Sequence, residues 1–138
     1  MRFSTEDFVE AAIRDARSRY NLDSRYIFTL GWASGGPPAY ALSLRERKSV
    51  TGSFVAMSIF EQNALPPLSR AHAHAYFLLH PSDAAITPIG DAERARAALA
   101  RNGAAVQLAT YEGGYGWHGN VYAQIRRGVR WLELHRAK

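Results

Sequence analysis

Cysteine is absent from the chain, which removes disulfides, thiolate nucleophiles and every metal site built on sulfur. Lysine is nearly absent as well: Lys48 and Lys138 are the only two, so arginine carries almost all of a net charge of +5. The arginines are scattered from Arg2 to Arg136 with acids among them. They form no sustained basic stripe with interleaved aromatics, and no nucleic-acid partner is expected. No apolar run approaches the ~18 residues that a membrane span needs. Residues 1–8 carry two acids and no apolar export segment. The expectation is therefore no membrane partner, no export and a cytoplasmic location.

What is present has ordinary globular proportions, 47% hydrophobic and 21% charged residues in a chain of 138. Such a length makes one core, burying roughly 68% of the surface that the unfolded chain exposes, so residues 1–138 are read as a single domain.

Helical and extended periodicities alternate along it. Ser4 with Asp7 three residues on is a capping pattern. Phe8, Val9, Ala12, Ile13, Ala16 and Tyr20 then recur at helical spacing, predicting an amphipathic helix that ends near Asn21. Residues 25–31 (Arg-Tyr-Ile-Phe-Thr-Leu-Gly) are a short β-rich run of the kind buried on both faces of a sheet. Residues 31–38 break the chain. A helix begun near Ser34 runs to Leu44, and Arg-Glu-Arg-Lys at 45–48 reads as its solvated end, favourable against the helix dipole.

Further strands are expected over residues 50–59, 75–80 and 106–112, with a loop at Pro66-Pro67 and turn residues over 81–90. Asp91 is expected to cap an Ala-rich helix that stops at Asn102-Gly103. Asn120 is expected to cap a last helix whose Val121, Ile125, Val129 and Leu132 form one apolar stripe. The order α-β-α-β-loop-β-α-β-α predicts an α/β fold in three layers, α/β/α, around a mostly parallel four-stranded sheet.

Ligands of open parallel sheets gather beyond the carboxyl ends of the strands. The informative residues are therefore Trp32-Ala33-Ser34, Met57 to Phe60, Pro81 to Ala84 and the loop from Gly113 to His118. Gly31-Trp32-Ala33-Ser34-Gly35 lies between a strand and a helix, the setting of a G-x-S-x-G nucleophile elbow. The pattern supplies the elbow's glycines, but Ala33 stands in the nucleophile's place.

With His80 to Pro88 after the third strand and Tyr111-Glu112-Gly113-Gly114-Tyr115-Gly116-Trp117-His118-Gly119 after the fourth, this elbow resembles the C-terminal half of an α/β-hydrolase of the carboxylesterase, phospholipase and dienelactone-hydrolase type. The resemblance implies a serine esterase with a Ser, Asp, His triad in that chain order. It places Ala33 at the nucleophile, Ala84 at the acid with Asp83 one residue early, and Tyr115 at the histidine, with His118 three residues beyond. Ser34 takes the position whose backbone N–H serves the oxyanion hole. Loss of such a nucleophile alone removes on the order of 10⁶ in turnover, so a catalytically inactive domain is expected.

Relatives of this type carry several strands and a helix before the equivalent of Phe3, including the other half of the oxyanion hole. A truncated domain is accordingly expected, with the strand at residues 25–31 as a sheet edge that pairs with a second copy or another chain. Trp32, Phe60, Tyr115 and Trp117 are the candidate contacts for a small ester- or acyl-like ligand. Alternatives are an active carboxylic-ester hydrolase that uses Ser34, Asp83 and His118, and a self-associating interaction module. Asp83 otherwise reads as a turn-stabilising side chain. His72 and His74 would share a face of an extended segment and could join His80 on a metal. No carboxylate follows at suitable spacing, so neither a metal nor a cofactor is expected.

Overall fold

The computed structural model describes residues 4–83, 88–114, 116–117 and 119–136. Helix α1 (Thr5–Arg19) starts as its sequence predicts, with Ser4 Oγ accepting the Asp7 N–H at 3.1 Å. Strand β1 covers Phe28–Trp32 and not residues 25–31, because Asp23 folds the approach into a 3-10 turn over Ser24–Tyr26. Its carboxylate accepts the Arg25 backbone N–H at 3.0 Å and pairs with the Arg25 guanidinium at 2.7 Å. The guanidinium first and the N–H second hold this carboxyl down to about 2.

A 3-10 turn over Ala33–Gly35 leads into α2 (Gly36–Ser43), so the α-helix begins two residues after Ser34, with Pro37 and Pro38 in its first turn. Strand β2 (Gly52–Ala56) is shorter than the predicted 50–59, since Met57 turns left-handed at φ 53°. Residues 57–74 then cross to β3 (Ala75–Pro81) through 3-10 turns.

Helix α3 (Ile89–Arg101) starts at Pro88, and Asp91 is a first-turn acid paired with Arg94 and not the cap. The proline fixes an extended entry, so the helix begins before Asp91 is reached. Strand β4 (Ala105–Tyr111) and α4 (Val121–His135) complete the fold, with Asn120 Oδ1 accepting the Ala123 N–H at 3.0 Å as expected of a cap.

The four strands are parallel and lie in chain order, β1-β2-β3-β4. Phe28 pairs with Gly52, Gly52 with Ala75 and Ala75 with Ala105, so the register is level from edge to edge. Alternation of side chains across this sheet creates two cores. One unites Val55, Tyr76 and Leu78 with Tyr40 of α2 and Ala95, Ala98 and Leu99 of α3. The other unites Phe54, Ala56, Phe77 and Leu79 with Leu132 of α4. The layers are the expected α/β/α.

Strands β2 and β3 are buried throughout, whereas β1 is not buried on both faces: Leu30 is 48% and Trp32 42% exposed. No described strand flanks β1 on its outer side. Among the described residues, no helix is long and apolar enough to cross a membrane.

Candidate functional site

The carboxyl end of β1 runs directly into a strained turn. Trp32 is extended, Ala33 sits at φ 54°, and the Gly36 N–H returns to the Ala33 carbonyl. A left-handed alanine costs roughly 1–2 kcal/mol relative to its right-handed form, and such strain persists only where the surroundings impose it. Here α2 imposes it by lying close on the strand end. A side chain at Gly31 would overlap the Gly35 carbonyl oxygen and stand 3.0 Å from Ala39 Cβ. The first elbow glycine is therefore a steric requirement. Gly35 has open space around it. The sharp turn is thus built around a residue that offers only a methyl group.

The space beside the elbow belongs to Met57. It is buried, and its Sδ accepts the Trp32 Nε1–H at 3.3 Å and the Gly116 N–H at 3.1 Å. Its own N–H donates to the Leu79 carbonyl at 2.9 Å. A weak, polarizable acceptor thereby joins the ends of three strands: β1 through Trp32, β2 through Met57 itself and β4 through the loop that follows it. Trp117, from the same loop, packs partly buried against the α4-side core, with its ring 6.5 Å from that of Phe54. Sequence reasoning gave Trp32 and Trp117 a role as ligand contacts, whereas Met57 was placed only in the segment that follows the second strand. Methionine carries no pattern that distinguishes a hub from core filling.

Asp83 follows β3 and is committed to the loop after β4, accepting the Gly113 N–H at 3.3 Å and the Gly114 N–H at 2.9 Å. Next to it the Ser82 N–H donates to the Tyr111 carbonyl at 2.9 Å, and Tyr111 Oη donates to the Gly116 carbonyl at 2.7 Å. Ser34 is exposed in the turn after Ala33. Ala84, Tyr115 and His118 lie outside the described residues. Phe60 is buried on the α2 and α3 side, edge-on to Tyr40 at 5.2 Å between ring centres. The fold thus brings Trp32, Met57 and the loop after β4 together and puts Phe60 in a different core from Trp117.

The histidines do not share a face. His72 is exposed at the end of a 3-10 turn, Ala73 follows at φ 64°, and His74 is buried, so the segment is coiled and not extended. His80 is buried in β3. Among the described residues, no group of three His, Asp or Glu is placed to hold a metal ion.

One polar arrangement escaped sequence reasoning. Ser53 Oγ and His74 Nε2 share a hydrogen bond of 2.9 Å in the core beneath α2, both side chains fully buried. Burial, and secondarily the charge of Lys48, holds His74 neutral by pulling its pKa down to about 3. Nearby, Tyr76 Oη and Ser43 Oγ lie 2.6 Å apart, and Ser43 also donates to the Tyr40 carbonyl. Both side chains are closed off by burial, and His74 Nδ1 has no hydrogen-bond partner among the described residues.

By sequence the chain matches no protein-family profile and no curated protein. By structure it is similar to a carboxylesterase of Bacillus cereus, with a TM-score of 0.75 and 13% identity, over 94% of this chain and 59% of the other. A thermostable esterase gives a TM-score of 0.75 and 19% identity, over 95% and 36%. An α/β-hydrolase enzyme from a Medee basin deep-sea metagenome library gives a TM-score of 0.74 and 13% identity, over 94% and 62%. The chain spans less than two thirds of the length of each. At such identities the likeness is one of fold.

Proposed function

We propose that this chain, whose fold is α/β-hydrolase-like over part of the length of its structural neighbours, is an esterase-type domain without turnover. In this reading it binds a small ester- or acyl-like ligand at the strand ends. The observation that carries it is Ala33. The backbone there has the sharp left-handed turn of a nucleophile elbow, while the side chain has no atom able to attack a carbonyl. The Met57 sulfur between Trp32 and Gly116 supports it further, because it gives the strand ends a hydrogen-bonding role unrelated to proton transfer. Trp32, half-exposed, and Trp117, half-buried, offer aromatic surface to a ligand.

Incubation with a serine-reactive fluorophosphonate, followed by intact mass and peptide mapping, tests the silence. No adduct is expected on the folded protein. An adduct on Ser34 in folded but not heat-unfolded protein overturns the reading in favour of an active ester hydrolase built on Ser34, Asp83 and His118. A thermal shift with a short-chain ester tests ligand binding, and its loss in Trp32→Ala and Trp117→Ala is the expected outcome.

A second reading is favoured by β1. Its five residues, Phe-Thr-Leu-Gly-Trp, contain no charge and no proline, the devices that keep edge strands from pairing. We infer a homodimer formed through this strand. Sedimentation across a concentration series should show mass doubling in the wild type and not in Leu30→Lys. A monomer throughout overturns it.

A further inference from the structure

A groove of about 600 Å³ runs along most of the length of α4, between it and the outer strand β4. Its walls alternate charge and apolar surface. Arg126, Arg127 and Arg130 stand along one side, and Phe77, Trp131 and Leu134 supply apolar wall. Gln107 contributes from β4. Neither Trp32, Met57 nor Ala33 lines it, so it is separate from the strand-end site.

The charges in this groove are unbalanced. Ion pairs among the described residues occupy other arginines, at positions 19, 25, 45, 70 and 94. Among the described residues, none of Arg126, Arg127 and Arg130 has a carboxylate within ion-pairing distance. Helix α4 contains one acid, Glu133, which does not line the groove. Arg127 lies 6.0 Å above the Phe77 ring, so one guanidinium is held partly by an aromatic face. The helix residues that border the groove, Ala123 to Leu134, span about 16 Å at the α-helical rise. Volume and length suit a small molecule with an extended apolar part.

We propose that this groove binds an amphiphilic carboxylate, a soluble monoanion with an alkyl or aromatic tail. Guanidinium forks at Arg126 and Arg130 receive the carboxylate as paired N–H donors. The tail lies on Trp131 and Leu134. Charge complementarity selects this occupant. An apolar groove without the arginines would take any neutral lipid, and arginines without the aromatic wall would take phosphate or polyanions. A membrane surface fits less well, because the apolar stripe of α4 is spent on the sheet, where Leu132 is fully buried.

Isothermal titration with decanoate, kept below its micelle threshold and at low salt, tests the assignment. Decyltrimethylammonium and decanol serve as charge controls. One site is expected for decanoate, with amide shift changes confined to α4 and β4. The exposed double variant Arg126→Gln/Arg130→Gln should lose at least tenfold in affinity while its thermal midpoint stays put. Leu134→Glu, which places an acid one helical turn from Arg130 in the groove wall, should compete for that guanidinium and weaken binding as well. Absence of decanoate binding, equal binding of the cationic analogue, unchanged affinity in the double variant, or binding confined to anionic phosphatidylglycerol vesicles would each overturn it.

Discussion

The sulfur of Met57 accepts the indole N–H of Trp32 at 3.3 Å, so a side chain at the end of β2 anchors an aromatic at the end of β1. The same sulfur holds the Gly116 N–H. Met57→Leu keeps the volume and removes the acceptor. It should lower stability by about 0.5–1.5 kcal/mol and speed amide exchange at Gly116. Met57→Ala, which also leaves a cavity, should cost about 2–5 kcal/mol. Urea midpoints and exchange rates measure both, and unchanged exchange at Gly116 in the leucine variant would remove the sulfur from its role.

At Ala33 the usual cost of glycine is reversed. In an ordinary position Ala→Gly loses roughly 0.4–1 kcal/mol through the freedom of the unfolded chain. The left-handed φ of 54° returns about 1–2 kcal/mol of strain when the Cβ is removed. Ala33→Gly is expected to be neutral or stabilising, and Ala33→Val destabilising. A loss above 1 kcal/mol for the glycine variant would mean that the turn is not strained.

His74 gives the protein a dependence on pH. Its folded pKa of about 3 lies below the ordinary ~6.5 of an unfolded histidine. Between these values the unfolded chain binds a proton that the native one refuses. Stability is therefore unaffected by this group above about pH 6.5 and falls by about 1.4 kcal/mol per unit as pH drops toward 3. The difference in urea midpoint between pH 7 and 4.5 should shrink in His74→Gln. Parallel pH profiles for the two proteins would refute the assignment.

Gly128 lies in the middle of α4, where alanine is ordinarily worth about 1 kcal/mol more than glycine. Here a Cβ would overlap the Phe54 ring and approach Phe77 to 2.9 Å. Gly128→Ala should lower the thermal midpoint despite its better helix propensity, by about 1–3 kcal/mol of overpacking. A raised midpoint would show that α4 can lift off the sheet.

These cases mark where the sequence was readable. The caps at Ser4 and Asn120, the all-parallel sheet and the glycine elbow follow from local rules, because a cap, a turn and an apolar run each carry their own signal over three to eight residues. Strand limits failed where a residue in or beside the run took a turn conformation that apolar periodicity does not register. Asp23 bent the start of β1, and Met57 ended β2 by turning left-handed. The pairing of Ser53 with His74 joins residues 21 apart in sequence and leaves no periodic trace. The groove on α4 was equally hidden: Arg126, Arg127 and Arg130 fall within five residues, but nothing in the sequence shows that they face a wall shared with β4. Of the strand-end residues, Trp32 and Trp117 were recognisable as aromatics next to turns, whereas Met57 was placed at a strand end with no sign that Trp32 donates to it.

Strand order in this sheet is the order of synthesis. Each strand emerging from the ribosome adds to the outer side of the one before it, Phe28 meeting Gly52, then Gly52 meeting Ala75, then Ala75 meeting Ala105. Among the described strands none has to be threaded between two that are already paired, so each hydrogen-bonded ladder can form in turn. The helices that close the two cores, α3 and α4, are the last to be made but for β4 between them. These four strands can therefore assemble in chain order without undoing an earlier step.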